Sequence, residues 1–228
     1  MSFSQTFNRM ATLARQLWEA QMQWIVLIAA LDGLSFLLPQ GLADSLSVFI
    51  FLLEAALFVH WIKIGARVGG FDKEALQSEP ISWWANVGVS LGAALPVILV
   101  MVVLTFLLIA ISPLVGIVVA GFLGFAALVL FEFYYPLVVV EARGFREAFS
   151  QMVGHLLKID NRSALLEGRF WYPVLLTLAA GFLLIFFNQS NGFFMAVVTF
   201  LYSLFMIPWS SAGQLVVYEN VWKEARGE

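Results

Sequence analysis

"VGVSLGAALPVILVMVVLTFLLIAI", residues Val87 to Ile111, decides the fold of this chain. Its opening residues, Gly88-Val89-Ser90-Leu91-Gly92, satisfy two patterns at once. As G-x-S-x-G they match the nucleophile elbow of a serine hydrolase, which needs a β-strand leading into the serine. As G-x-x-x-G they match a seam where two membrane helices approach closely. The sequence ahead of Ser90 offers no strand, and the apolar run that follows is long enough to cross a bilayer. The stretch therefore reads as a membrane helix, with Gly88 and Gly92 as a packing notch near its start.

The rest of the chain agrees. Of its 228 residues, 61% are hydrophobic and 12% charged, against roughly 45–50% and a quarter or so in soluble domains. That much apolar surface needs lipid as its solvent. The net charge of −3 is too mild for a nucleic-acid partner or strong attraction to anionic lipid. With no cysteine, disulfides, thiolate catalysis and cysteine metal sites are excluded. Two histidines, with neither HExxH nor Glu-x-x-His, argue against a metal site. No glycine-rich run has phosphate-loop spacing, and no cofactor is expected.

Six apolar runs approach the roughly 20 residues that span a hydrocarbon core: 22–38, 46–64, 87–111, 113–140, 172–187 and 193–217. The expected fold is all-α: one integral membrane domain over residues 1–228, a bundle of six transmembrane helices. All twelve Lys and Arg residues then fall on one side, in the N-terminal stretch, the two long connections and the C-terminal tail. The positive-inside rule places that side, with both termini, in the cytoplasm. Trp18, Trp24, Trp61, Trp83, Trp84, Trp171 and Trp222 fall at the same ends, where amphipathic rings prefer the headgroup layer. The first span reads as a signal anchor rather than a cleaved signal peptide, since its apolar run is long and carries Asp32.

Two further segments have helical periodicity without spanning length. Phe145, Phe149, Met152 and Leu156 recur along 145–158, and Phe3, Phe7, Met10, Ala14 and Leu17 along the N-terminal stretch. Both read as amphipathic helices covering the cytoplasmic ends of the bundle. "GGFDKEALQS" at 69–78 faintly echoes "RGFREAFSQ" at 143–151, so a helix–basic loop–helix unit is a candidate duplication.

The second half of the chain, "FYYPLVVVEARGFREAFSQMVGHLLKIDNRSALLEGRFWYPVLL" and "FMIPWSSAGQLVVYENVW", resembles a known family. It is similar to the membrane domain of bacterial glycerophosphodiester phosphodiesterases and to six-helix inner-membrane proteins of the YciC type. The resemblance implies a helical bundle in the bacterial inner membrane. It imports no phosphodiesterase chemistry, because in such enzymes catalysis belongs to a separate soluble barrel.

Ionisable residues inside a membrane are costly and are functional candidates by default. Here they are Asp32, Glu54, His60 and Glu132. Asp32 lies roughly 15 Å from the cytoplasmic end of its helix and Glu54 roughly 12 Å from the outer end of the next, so both approach the midplane. Two carboxylates in one dry site cannot both ionise easily and tend to share a proton. They serve either a proton or cation site, or a neutral hydrogen-bonded lock on helix packing. His60 and Glu132 sit nearer the cytoplasm, within reach of interfacial water or each other. They are either a proton relay or hydrogen-bonding anchors. A Ser90–His60 dyad would make the chain an intramembrane serine hydrolase, the most distant expectation. Packing surfaces are expected at Gly88 and Gly92, and at Gly116, Ala120 and Gly124 on the next helix. The leading expectation is a non-enzymatic protein whose partners are the lipid bilayer and another membrane protein or a second copy of itself. The alternative is a small proton-coupled transporter using Asp32 and Glu54.

Overall fold

The computed structural model describes residues 2–68, 82–141, 144–157, 166–182 and 192–223. Among them the chain forms α-helices α1 (Phe3–Ser35), α2 (Gln40–Val68), α3 (Trp83–Ile111), α4 (Pro113–Glu141), α5 (Phe145–Leu157), α6 (Gly168–Phe182) and α7 (Gly192–Val217). A π-helical segment, Tyr218–Lys223, continues α7. No strand occurs among the described residues. Four stretches are long and apolar enough to cross a membrane: Gln40–Ala66, Trp83–Ile111, Gly121–Glu141 and Gly192–Trp222. The expected first and fifth spans are not among these four. The helix carrying the first ends at Ser35, and the fifth is described only to Phe182. The echoing segment 69–78 lies outside the described residues.

α1 begins with a capping box. The Ser2 hydroxyl accepts from the Gln5 backbone N–H (3.3 Å), and Gln5 Oε1 accepts from the Ser2 N–H (2.7 Å), so two donors that the first turn leaves free are satisfied. The helix bends at Gln21 (φ −132°, ψ 17°), dividing the amphipathic N-terminal stretch from the apolar one. The buried face is Thr6, Met10, Leu13 and Leu17. Phe3 and Phe7 are half exposed and rest their rings against Tyr172 of α6 and Trp209 of α7. The N-terminal helix is thus docked on the bundle through a face turned slightly from the one expected.

α1 and α7 run antiparallel. At one end Arg9 holds Glu219 through two hydrogen bonds, Nε–Oε2 at 3.0 Å and Nη2–Oε1 at 3.2 Å. At the other, a Cβ on Gly33 would sit 2.8 Å from the Ala196 carbonyl oxygen, so only glycine admits α7's backbone there. The end carrying Arg9 and Glu219 is called basal below, the opposite end distal.

α3 and α4 form a hairpin. Ser112 precedes Pro113, and a residue before proline is driven out of the helical region; Ser112 is extended (φ −157°, ψ 116°). Gly116 closes the corner, since a Cβ there would lie 2.7 Å from the Ile109 nitrogen. Gly124 continues the seam more loosely, against Met101 (3.8 Å). The side chain of Ala120 lies outside the described residues.

The notch at Gly88 and Gly92 is used differently from the expectation. It receives no membrane helix. A Cβ on Gly92 would meet the Phe145 carbonyl oxygen at 2.8 Å and Ala148 Cβ at 2.9 Å, and Gly88 faces the Phe145 backbone. The notch therefore seats α5. The physical reason lies on α5, where Ala148 is small enough to enter while Phe145 and Phe149 stay half exposed. Gly92→Leu is expected to lever α5 from its seat at a cost of about 1–3 kcal/mol, detectable as faster protease cleavage within 145–157.

Basally, rings pack into a knot: Phe133 lies 5.2 Å from Phe170, 4.9 Å from Trp222 and 4.7 Å from Tyr134 between centroids. Residues of α4, α6 and the C-terminal π-helical segment thus meet in one core. Helix prolines shape its polar contacts. Pro173 has no N–H, which leaves the Arg169 carbonyl without its i+4 donor, and Asn220 Nδ2 supplies one at 3.1 Å. Asn220→Ala is expected to destabilise the fold by about 1–3 kcal/mol. Adding Pro173→Ala, which restores the N–H, should recover part of that loss in a double-mutant cycle of thermal unfolding.

Distally the burial pattern inverts. Ile111, Leu114, Phe122 and Phe106 are 81%, 75%, 74% and 71% exposed. Apolar surface of that extent belongs in hydrocarbon.

Candidate functional site

A cavity of about 490 Å³ lies between α1, α2, α3, α4 and α7. Each helix contributes one face at helical spacing: α2 presents Phe51, Glu54, Ala55, Phe58 and Trp61, and α7 presents Thr199, Ser203, Met206 and Ser210. Asp32 of α1 and Glu54 of α2 line it together, near enough for their charges to interact. The two carboxylates singled out by depth along their helices therefore share one chamber.

The chamber is acidic and hydroxyl-rich. Ser203 Oγ donates to Asp32 Oδ2 at 2.7 Å, and Ser35 Oγ donates to the Asp32 backbone carbonyl at 2.6 Å. Among the described residues, none of those lining it is Lys, Arg or His. Two buried polar atoms on lining side chains have no hydrogen-bond partner: Trp61 Nε1 and Thr199 Oγ1, on residues 2% and 8% exposed. Both atoms are shielded from water-sized contact, so they lie behind the chamber surface that their residues help to form.

Aromatic rings form one wall. Tyr135 stacks on Phe58 (5.7 Å between centroids, 24° between planes) and lies 4.3 Å from Phe131. Ser90 is hydrogen-bonded to the Tyr135 hydroxyl at 3.3 Å. Ser90 thus lines the cavity, but His60 is not among the lining residues. The contact found for the serine hydroxyl is a phenol, which is no general base at neutral pH.

Glu132 is not among the residues lining the chamber. It accepts a hydrogen bond from Gln214 Nε2 of α7, which anchors α4 to α7. Among the described residues no group of three or more His, Asp or Glu side chains is placed to hold a metal ion.

The α7 residues were not singled out in the sequence. Their signal was a stripe of hydroxyls, Thr199, Ser203 and Ser210, on one face of an otherwise apolar helix. Comparison with family models, curated proteins and solved structures finds no match to this chain.

Proposed function

We propose that this chain is a small proton-coupled carrier of a bacterial inner membrane, in which Asp32 and Glu54 form a shared proton- and cation-binding site. It crosses the bilayer six times with both termini in the cytoplasm, as its one-sided distribution of Lys and Arg supports. The observation that carries the reading is the chamber itself: two carboxylates and a row of hydroxyls line it, with no Lys, Arg or His among the described lining residues. Two acids in a low-dielectric site disfavour double ionisation, so a proton neutralises one of them until a cation replaces it. That exchange is the elementary step of coupled transport; only an O–H bond breaks and re-forms, its proton passing to and from water.

A second reading, the binding of lipid or a partner protein, is favoured by the exposed distal half of the α3–α4 hairpin.

The carrier reading is tested in proteoliposomes loaded with a pH-sensitive dye. Under an imposed proton gradient they are challenged with sodium, potassium, tetramethylammonium or decyltrimethylammonium. Cation-dependent proton movement that disappears in the Asp32→Asn, Glu54→Gln variant supports it. Absence of movement with every cation overturns it.

A further inference from the structure

A second cavity, of about 410 Å³, runs between α3 and α4. Its floor is Ala94, Val97, Met101 and Val102 on α3 and Gly124 and Ala127 on α4. Every side chain lining it is apolar. Phe131 lines this groove and the acidic chamber alike, so the two spaces adjoin at one ring. Gly124 keeps the groove open, since a Cβ there would find only Met101 Cε within 4 Å, at 3.8 Å.

We infer that the cargo is an organic cation with an apolar tail: the charged head lies between Asp32, Glu54 and the aromatic wall, and the tail lies in the α3–α4 groove. The inference rests on the carrier reading and names its substrate class. Three observations converge on it. The chamber's charge calls for a cation. Its rings, Phe58, Trp61, Phe131 and Tyr135, suit a cation that can leave water and lie against π faces. A hard metal ion would take the carboxylate and hydroxyl oxygens alone and leave the aromatic wall unused. The adjoining groove extends from Ala94 to Val102, about 12 Å along the helix, and accepts a medium-length alkyl chain. Burial of that chain stabilises the complex in proportion to the area removed from water.

The test measures binding to the whole chain in lipid nanodiscs by equilibrium dialysis against empty nanodiscs. The ligands are decyltrimethylammonium below its micellar concentration, tetramethylammonium and decyl sulfate. The decyl cation is expected to bind at least about tenfold more tightly than tetramethylammonium, and decyl sulfate no better than to empty nanodiscs. Asp32→Asn with Glu54→Gln should abolish the difference between the decyl cation and decyl sulfate. Gly124→Leu should flatten the dependence on chain length by occupying the groove. A ratio near one between the two cations in the wild-type protein overturns the inference, as does equal binding of the decyl anion. Proton exchange driven as well by sodium or tetramethylammonium as by the decyl cation leaves the carrier reading standing and this inference fallen. Carboxylate-dependent binding of the decyl cation with no proton exchange overturns the carrier reading and the assignment of that cation as cargo.

Discussion

Vesicles carrying the Asp32→Asn, Glu54→Gln variant are expected to hold an imposed proton gradient as long as empty vesicles do, whatever cation is added, while the protein itself becomes more resistant to unfolding. The first half follows from chemistry, since an amide neither releases a proton nor balances a cation's charge. The second half follows from the cost of keeping carboxylates in a partly dry chamber. Asn at position 32 is nearly isosteric with Asp, and its carbonyl oxygen can still accept from Ser203, the contact that joins α1 to α7 at 2.7 Å. Gln at position 54 fills the space of Glu without its charge. The gain in stability is expected at roughly 0.5–2 kcal/mol, the usual size when a strained functional site is relaxed. Thermal unfolding in nanodiscs, read beside the flux assay, separates the two roles that intramembrane acids play. If the acids only lock helices together, the variant loses no flux because the wild-type protein has none to lose. Lower stability and unchanged flux together would end the case for a working site.

Trp222→Ala is expected to be the most damaging single change at the basal end, costing about 3–5 kcal/mol. The indole is 6% exposed and packs on Phe133, with Tyr134 beside it. Its Nε1 donates to the Phe133 carbonyl at 3.0 Å. The bond ties the π-helical segment to α4 beside the ring cluster. Trp222→Phe isolates the hydrogen bond from the packing and should cost less, about 1–3 kcal/mol. Equal losses for the two variants would show that the hydrogen bond and not ring volume holds the knot together. Cation binding by the Phe variant should persist, because the chamber does not include this side chain.

Several of these features were legible before any coordinates. Depth along a helix follows from residue counts, and counting placed Asp32 and Glu54 at one level; the cavity lies where those two helices meet. The Ser112–Pro113 corner was equally plain, because proline's effect on its predecessor is local. What the sequence hid was choice of neighbour. Gly88 and Gly92 announce that something comes close, yet glycine looks the same to a membrane helix as to α5. Glu132 was placed within reach of interfacial water or His60, and the partner found for it, Gln214, comes from a helix 82 residues away. Only the register between α4 and α7 selects that partner. The hydroxyl stripe on α7 was faint for another reason: Ser and Thr in helices often bond their own preceding turn, as Ser211 does with Ile207, so a membrane serine seldom advertises a ligand. The six apolar runs outnumber the four stretches that, among the described residues, meet the length and hydropathy of a span. Asp32 explains part of this, because a carboxylate in the apolar run of α1 lowers its hydropathy.

The pairing of α1 with α7 sets a schedule for biogenesis. Asp32 is made early, but the Ser203 hydroxyl that holds it follows 171 residues later. Until α7 leaves the ribosome, the carboxylate has no such donor and the chamber lacks a wall. A nascent chain stalled before Gly192 would therefore present an acid to lipid with one side of its site missing. Membrane proteases that sense exposed polar groups would find such chains, and the assembled protein would escape them only when its last described helix closes against its first.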